Sequence, residues 1–422
     1  MNPAERAFRD EVEQNLPRNY AVVLCHGVLG QTGMRLINAP TFIPAYIHLL
    51  SGSDLVVGFA RSLQYFGMFL TPLIGANMVE SRQRVLPFSI AVGAGMRVQV
   101  LAIAIASFFL PDPWRLVAIS CFLGLFGGFL GMQSVAFSFM MSKLIPVERR
   151  GLLIGLRVFC GGLVSAFVAG VGGWFIANQT LGNGYAATFL LGFVLTTSGL
   201  FFLFGIREPP TPTVRKREAL LERLGALPDL LRSDVAFTRY FMARALATMG
   251  RMSMPFYALH AKEVIGLSGE TLGALSTSFL LSQTLTNLGW GWLADRTGFR
   301  LVFLMSLAVW SLATAGIFMA EGSVGFAVAF GFLGAGFGGF QLSAQNLVLE
   351  FGDRADLPMR IGVANSASEL VGVIGPLLAG GIAAFSSYGA VFACSVVFQV
   401  AAFWIVAGYV DEPRHRERGG VA

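Results

Sequence analysis

The sequence predicts an all-α membrane protein in which twelve transmembrane helices form two pseudo-symmetric six-helix bundles. Three observations lead there. Of 422 residues, 55% are hydrophobic and 13% are charged, with 51 glycines, a balance foreign to water-soluble enzymes. The apolar residues gather into twelve runs of about 20 residues or more, long enough to cross about 30 Å of hydrocarbon as helices that satisfy their own backbone groups. Basic residues crowd the connections on one side of these runs and are scarce on the other.

In order, the runs are 20–48, 53–79, 86–110, 114–142, 151–178, 185–206, 238–260, 270–294, 300–320, 323–349, 360–385 and 389–410. A charged, amphipathic leader, residues 1–19, precedes the first run, which continues past residue 40. That exceeds a cleavable signal core, so the run is expected to stay in the mature protein. Arg82 and Arg84 follow the second run, and Lys143, Arg149 and Arg150 follow the fourth. Arg296 and Arg300 follow the eighth, Arg354 and Arg360 the tenth, and Arg414, Arg416 and Arg418 lie in the tail. The opposite side carries only Arg115 and Lys262. Both termini are therefore expected in the cytoplasm of an inner-membrane protein. Topology accounts for the net charge of +6 without a nucleic-acid partner.

The sixth run is broken by Arg207-Glu208-Pro209-Pro210-Thr211-Pro212, which opens a polar connection to about residue 237. Within it Leu220, Leu221, Leu224, Leu227 and Leu231 recur at near-helical spacing beside Arg215, Lys216, Arg217 and Arg223. This reads as a helix on the inner leaflet surface or as a solvated linker helix. The expected organisation is a leader (1–19), an N-terminal bundle (20–206), a linker (207–237), a C-terminal bundle (238–410) and a tail (411–422). Self-comparison supports two halves: a shift of 208 aligns Gly128-Phe129-x-Gly131-x-Gln133 with Gly336-Phe337-x-Gly339-x-Gln341, and Gly172-Gly173 with Gly380-Gly381.

Between the eighth and ninth runs lies Gly291-Trp292-Leu293-Ala294-Asp295-Arg296-Thr297-Gly298-Phe299-Arg300, residue types suited to a tight, charged turn at the cytoplasmic surface. This decapeptide resembles the signature loop of the major facilitator superfamily of secondary transporters. The first-half copy, Gly75 to Arg84, keeps the first glycine and the basic end but has Val79 at the aspartate position, with Glu80 as an imperfect substitute. The resemblance implies parallel repeats of six helices with a substrate near the midplane between them. It also implies a gating role for Asp295 with Arg296 and Arg300 as partners, around the turn glycines Gly291 and Gly298. Pro146-Val147-Glu148-Arg149-Arg150-Gly151 is similar to the family's fourth-to-fifth connection, and Gly372-x-x-Gly375-Pro376-x-x-x-Gly380-Gly381 to a packing helix. An arginine followed by glycine in the fourth span, a pattern of proton-linked drug exporters in the family, is missing from Phe122 to Met141.

Ionisable residues at membrane depth cost about 2.5–3.5 kcal/mol each at a helix centre and so imply a task. At 1.5 Å per residue Arg35 lies about 22 Å from Tyr20 along the first run, and Arg97 about 16 Å into the third. Arg61 sits near the outer end of the second run and Arg251 near the middle of the seventh. Arg157 and Arg244, nearer the cytoplasmic ends, are expected to snorkel. Arg97 is expected to pair locally or bond carbonyls, and Arg61 to reach the outer headgroups, where neither serves a substrate. The one deep acidic companion is Glu369, either an ion-pair partner or a proton-coupling group, with His26 a second titratable candidate or a satisfied interior histidine. An excess of guanidinium over carboxylate calls for an anionic counter-charge, and Arg35 and Arg251 are the substrate candidates. Gln31, Asn38, Gln133, Gln341, Gln345 and Asn346 are expected to add neutral hydrogen bonds at the same site or to serve helix packing.

Cys25, Cys121, Cys160 and Cys394 are scattered singly, the four histidines form no ligand set, and no phosphate-binding glycine loop is present. No enzyme activity, metal or cofactor is expected. The function expected is secondary active transport of a small organic solute, with a preference for an anion. The alternatives are an exporter of drug-like or amphipathic compounds, or a non-transporting sensor or assembly factor on the same fold. Expected partners are the solute, the lipid bilayer and protons as candidate coupling ion, with the chain acting as a monomer.

Overall fold

The computed structural model describes residues 3–211, 231, 232, 234–348 and 357–410; the side chains of Glu80 and Arg360 also fall outside the description. Most of the expected linker helix, including Leu220, Leu221, Leu224 and Leu227, lies outside the described residues, as do Arg354 and the basic tail. The described chain is helical: α1 (Pro3–Asn38), α2 (Phe42–Ser51), α3 (Asp54–Glu80), α4 (Leu86–Phe109), α5 (Trp114–Leu144), α6 (Val147–Ala177) and α7 (Tyr185–Phe202) make the first series. The second comprises α8 (Val235–Met249), α9 (Tyr257–Ile265), α10 (Gly269–Thr297), α11 (Phe299–Met319), α12 (Gly322–Leu347), α13 (Leu357–Phe385) and α14 (Tyr388–Tyr409). Among the described residues, eight helices are long and apolar enough by length and composition to cross a membrane.

Two apolar runs expected as single helices are interrupted. The first breaks at Ala39-Pro40-Thr41, and the leader joins its inner part as one helix from Pro3. The seventh passes through a 3-10 turn, Gly250–Phe256, between α8 and α9. Hydropathy cannot see either break, because apolar residues run through both. A proline, Pro40 or Pro255, lies at each break and withholds a backbone donor there, although Pro17, Pro72 and Pro376 lie within unbroken helices.

The chain divides into two compact units. One contains Met1–Asn38 and Leu63–Leu220. Here α1 packs on α6 and α7, and α4 on α5 and α7. Close approach rests on glycines: a Cβ on Gly33 would strike the Gly192 carbonyl, and one on Gly131 would strike the Thr71 hydroxyl. Around the connection from α3 to α4, Val79, Val85, Phe88, Val92 and Ala136 form an apolar cluster. Val79 is 1% exposed there, so an aspartate in its place would bury an ionised group among hydrocarbon.

The second unit contains Leu221–Ala422 together with Ala39–Ser62, which belongs by sequence to the other half. Its helices α10, α11 and α12 pack together, and α14 packs on α8 and α11. A hydroxyl network fastens the 3-10 turn. Ser253 Oγ donates to Tyr257 Oη at 2.7 Å and lies 3.0 Å from Ser395 Oγ, which donates to the Gly250 carbonyl at 2.6 Å. The borrowed segment docks closely on α13: Gly58 faces the Pro376 carbonyl and Gly380, and Tyr388 donates to Asp54 Oδ1 at 2.8 Å. His48 Nδ1 lies 3.1 Å from Lys262 Nζ, and Thr41 Oγ1 accepts from Ser276 at 2.7 Å. Burial and the neighbouring Asp54 raise the carboxyl pKa of Glu263, beside Lys262, above its ordinary value. Arg61 does not reach headgroups as expected. It is 4% exposed and donates to the Ala39 carbonyl at 2.8 Å, because the docked segment supplies an acceptor nearer than lipid.

Candidate substrate and gating sites

In the first unit, α1 carries His26, Gln31, Arg35 and Asn38 at helical spacing. Arg35 Nη2 donates to Gln31 Oε1 and to the Val158 carbonyl, both at 3.3 Å. Asn38 Oδ1 accepts from Gln64 Nε2 at 2.7 Å, and His26 Nδ1 lies 3.0 Å from the Gly199 carbonyl. Arg97 donates to the Gly93 and Thr196 carbonyls at 2.7 Å each, the local satisfaction expected of it. Gln133 is 7% exposed, and its Oε1 accepts no hydrogen bond among the described residues.

Arg157 is 8% exposed and does not snorkel. Its Cζ stands 4.3 Å from the Phe137 ring centroid, and its stem crosses α1 directly over Gly27. Depth along a helix overstated its access to water, since a facing glycine lets the neighbouring helix cover the side chain.

In the second unit the 3-10 turn carries Arg251, whose Cζ lies 5.8 Å from the Phe337 ring centroid. On α13, Glu369 Oε2 is buried and accepts no hydrogen bond among the described residues; the charges acting on it there are Arg251 and Arg244. Arg244 was also expected to snorkel, yet it is 7% exposed and donates to Asn365 Oδ1 at 2.8 Å. An asparagine on the adjacent helix gives it an acceptor within the bundle. The repeat-related glutamines differ: Gln341 is exposed and accepts from Gln283 Nε2 at 3.2 Å. Gln345 is exposed, and Asn346 donates back to the Leu342 carbonyl on its own helix at 2.8 Å, so neither is joined to Arg251 by these bonds.

The expected signature turn is narrower than its motif. Gly291 to Thr297 continue α10, and Gly298 alone, with φ 89° and its N–H on the Ala294 carbonyl at 2.8 Å, turns the chain into α11. A positive φ of this kind is one that glycine adopts at little cost. Asp295 is exposed and makes no ion pair among the described residues. Its expected partners are engaged elsewhere: Arg296 stacks on Trp292 at 4.0 Å, and Arg300 donates to the Ala407 and Val406 carbonyls at 2.9 and 3.3 Å, covering the end of α14.

The degraded first-half loop is instead tied down from a distance. Glu208 accepts from the backbone N–H groups of Val85 and Leu86 at the start of α4, each at 2.8 Å, and from Lys143 Nζ at 2.8 Å. A helix N-terminus favours negative charge, so a carboxylate far from Val79 in sequence anchors the connection that lacks the motif's aspartate. Sequence reading saw Glu208 only as part of a helix-breaking stretch; nothing local announces its partners. Among the described residues no group of three or more His, Cys, Asp or Glu could hold a metal ion.

Residues 240–421 match a family model described as Major Facilitator Superfamily. A multidrug resistance efflux pump PmrA homolog of Lactococcus lactis is 22% identical over 85% of this chain and 87% of its own length. Multidrug resistance protein MdtG of Erwinia billingiae is 22% identical over 93% and 94% respectively. A hexuronate transporter of Bacillus subtilis is 25% identical, with the match spanning 39% of each chain. The fold is similar to the nucleoside transporter NupG, with a TM-score of 0.70 at 12% identity over 93% of this chain and 99% of that one. It is similar also to a D-xylose-proton symporter, with a TM-score of 0.70 at 13% identity over 94% and 98%. An all-helical fold shared with transporters, the family match over residues 240–421 and relatives spanning most of the length agree: the chain is a multi-pass membrane protein whose second half matches the major facilitator superfamily and whose fold is similar to that of transporters over nearly its whole length.

Proposed function

We propose that this transporter is a secondary active carrier of a small organic anion, working as a monomer in the inner membrane with both termini cytoplasmic. The observation that carries the reading is the imbalance of buried charge. Arg97, Arg157 and Arg244 are each less than a tenth exposed, while Glu369 is the one carboxylate deep in an apolar run. A guanidinium fork is matched to carboxylate and phosphate, and an anionic solute would relieve its desolvation. Arg35 and Arg251, with Gln31, Asn38, Gln133, Gln341, Gln345 and Asn346, are the proposed solute-binding groups. Two bundles, 20–206 and 238–410, alternate access around them, with Asp295, Arg296 and Arg300 at the gate. Glu369 is the proposed proton-coupling residue, its charge set against Arg251 and Arg244.

A second reading, export of drug-like compounds, is favoured by the names of the relatives that match most of the chain. Proteoliposomes loaded with buffer and given a pH gradient separate the two. Accumulation of labelled glucuronate, with no movement of a cationic dye, supports the anion reading. The reverse result establishes the exporter. In the anion case Glu369→Gln is expected to abolish gradient-driven accumulation while sparing exchange, and unchanged accumulation would reject Glu369 as the coupling group.

A further inference from the structure

Arginines at membrane depth in the first unit differ in how their guanidinium groups are satisfied. Arg97 donates to two backbone carbonyls, and Arg35 to Gln31 and a carbonyl. Arg157 makes no hydrogen bond or ion pair among the described residues, although only 8% of it is exposed and its Nε is closed to solvent. What holds it is shape. Phe137 lies under Cζ at 4.3 Å, and Gly27 makes room for the stem: a Cβ there would overlap Nε and sit 2.6 Å from Cγ and 2.8 Å from Cδ. The His26 ring flanks Phe137 at 5.4 Å between centroids. One turn from Phe137 on the same face of α5, Gln133 presents a buried Oε1 without a donor among the described residues.

A guanidinium less than a tenth exposed and without an acceptor is costly, and among the described residues the fold supplies none. A cation–π contact orients the guanidinium plane but uses none of its five N–H donors. We propose that Arg157 is the oxyanion contact of the transported solute, with Phe137 and Gly27 as its positioning residues and Gln133 a neutral contact beside it. This rests on the anion reading above and assigns its principal charge contact to α6, a helix from which the sequence suggested no substrate residue. The ligand chemistry is a carboxylate or phosphate group able to accept two parallel hydrogen bonds from one fork.

The test is thermal stabilisation of the purified full-length protein by benzoate, gluconate and inorganic phosphate, titrated separately, since a ligand of the folded state raises its melting temperature by mass action. At least one of these anions is expected to stabilise the native protein, and the one that does distinguishes carboxylate from phosphate. Arg157→Gln is expected to weaken that apparent affinity at least tenfold, and Arg157→Lys, which keeps the charge but loses the fork, to fall between. Equal stabilisation of the native protein and Arg157→Gln overturns this assignment while leaving the anion reading intact. No stabilisation of the native protein by any of the three overturns both. Should Arg157→Gln fail to fold, Gly27→Ala decides: it retains the charge but forces the side chain to move, so an unchanged affinity overturns the assignment and a loss of threefold or more supports it.

Discussion

The two charged loops that repeat across this chain reverse the expectation their sequences raise. The second-half copy, Gly291 to Arg300, has the full motif, yet its aspartate is exposed and unpaired among the described residues, while both neighbouring arginines are engaged elsewhere. The first-half copy has lost the aspartate to Val79, yet its connection is secured by Glu208, which holds Lys143 and two N–H groups of α4. A motif therefore records residue types at a place, whereas anchoring depends on which charges meet there. One loop lacks an ionic anchor among the described residues and the other has one.

That contrast is sharpest at Glu208. Its side chain is 2% exposed and that of Lys143 5%, so Glu208→Ala leaves two helix-terminal donors without an acceptor and a buried ammonium without its counter-charge, held by the Gln83 carbonyl alone. Removing one member of such a pair costs about 3–5 kcal/mol, and the purified variant is expected to melt well below the native protein. A melting temperature unchanged within error would break the comparison, since the first loop would then be no better anchored than the second.

Next in size are the glycines that the repeat brings into register, Gly131 on α5 and Gly339 on α12. A Cβ at Gly131 meets Thr71 and Pro72 of α3, and one at Gly339 meets Ser306 and Trp290 at 2.7 and 2.8 Å. Alanine at either position is expected to destabilise by about 1–3 kcal/mol through overpacking. Similar losses measured by thermal melting would show that the halves share their packing even though they differ in loop anchoring. A loss at one position alone would extend the asymmetry into the membrane.

The smallest effect on stability is expected at Asp295. Asp295→Asn removes an exposed carboxylate that makes no ion pair, so stability should change by no more than about 0.5 kcal/mol. Transport in proteoliposomes is nevertheless expected to fall several-fold if the loop acts as a gate. Normal transport by a stable Asp295→Asn protein would make the loop a topological anchor alone.

Apolar runs located the helices closely. The third run, 86–110, is α4 at Leu86–Phe109, and the twelfth, 389–410, is α14 at Tyr388–Tyr409, because burial in lipid imposes a length and a composition that one sequence displays. The breaks at Ala39-Pro40-Thr41 and Gly250–Phe256 escaped because hydropathy carries no information on backbone continuity; Pro40 and Pro255 were the available signals. Candidate site residues on α1 were legible by type and spacing. The positions of Arg157 and Arg244 were not, since burial there depends on Gly27 and Asn365, more than a hundred residues away in each case. Glu208 was hidden for the same reason.

The borrowed segment Ala39–Ser62 adds two crossings between the units to the one at Leu220, and these two differ in backbone continuity. The first crossing, at Asn38 to Ala39, falls beside the non-helical Ala39-Pro40-Thr41, where backbone dihedrals can turn without breaking a helical ladder. The second, at Ser62 to Leu63, falls inside α3, which runs unbroken from Asp54 to Glu80. A joint and a rod in parallel behave as a lever: rotation is taken up at the joint, while the rod carries the bending moment and springs back. If the units move during transport, elastic energy would be stored in α3 around Ser62, and a glycine introduced there would soften the spring and decouple its two ends.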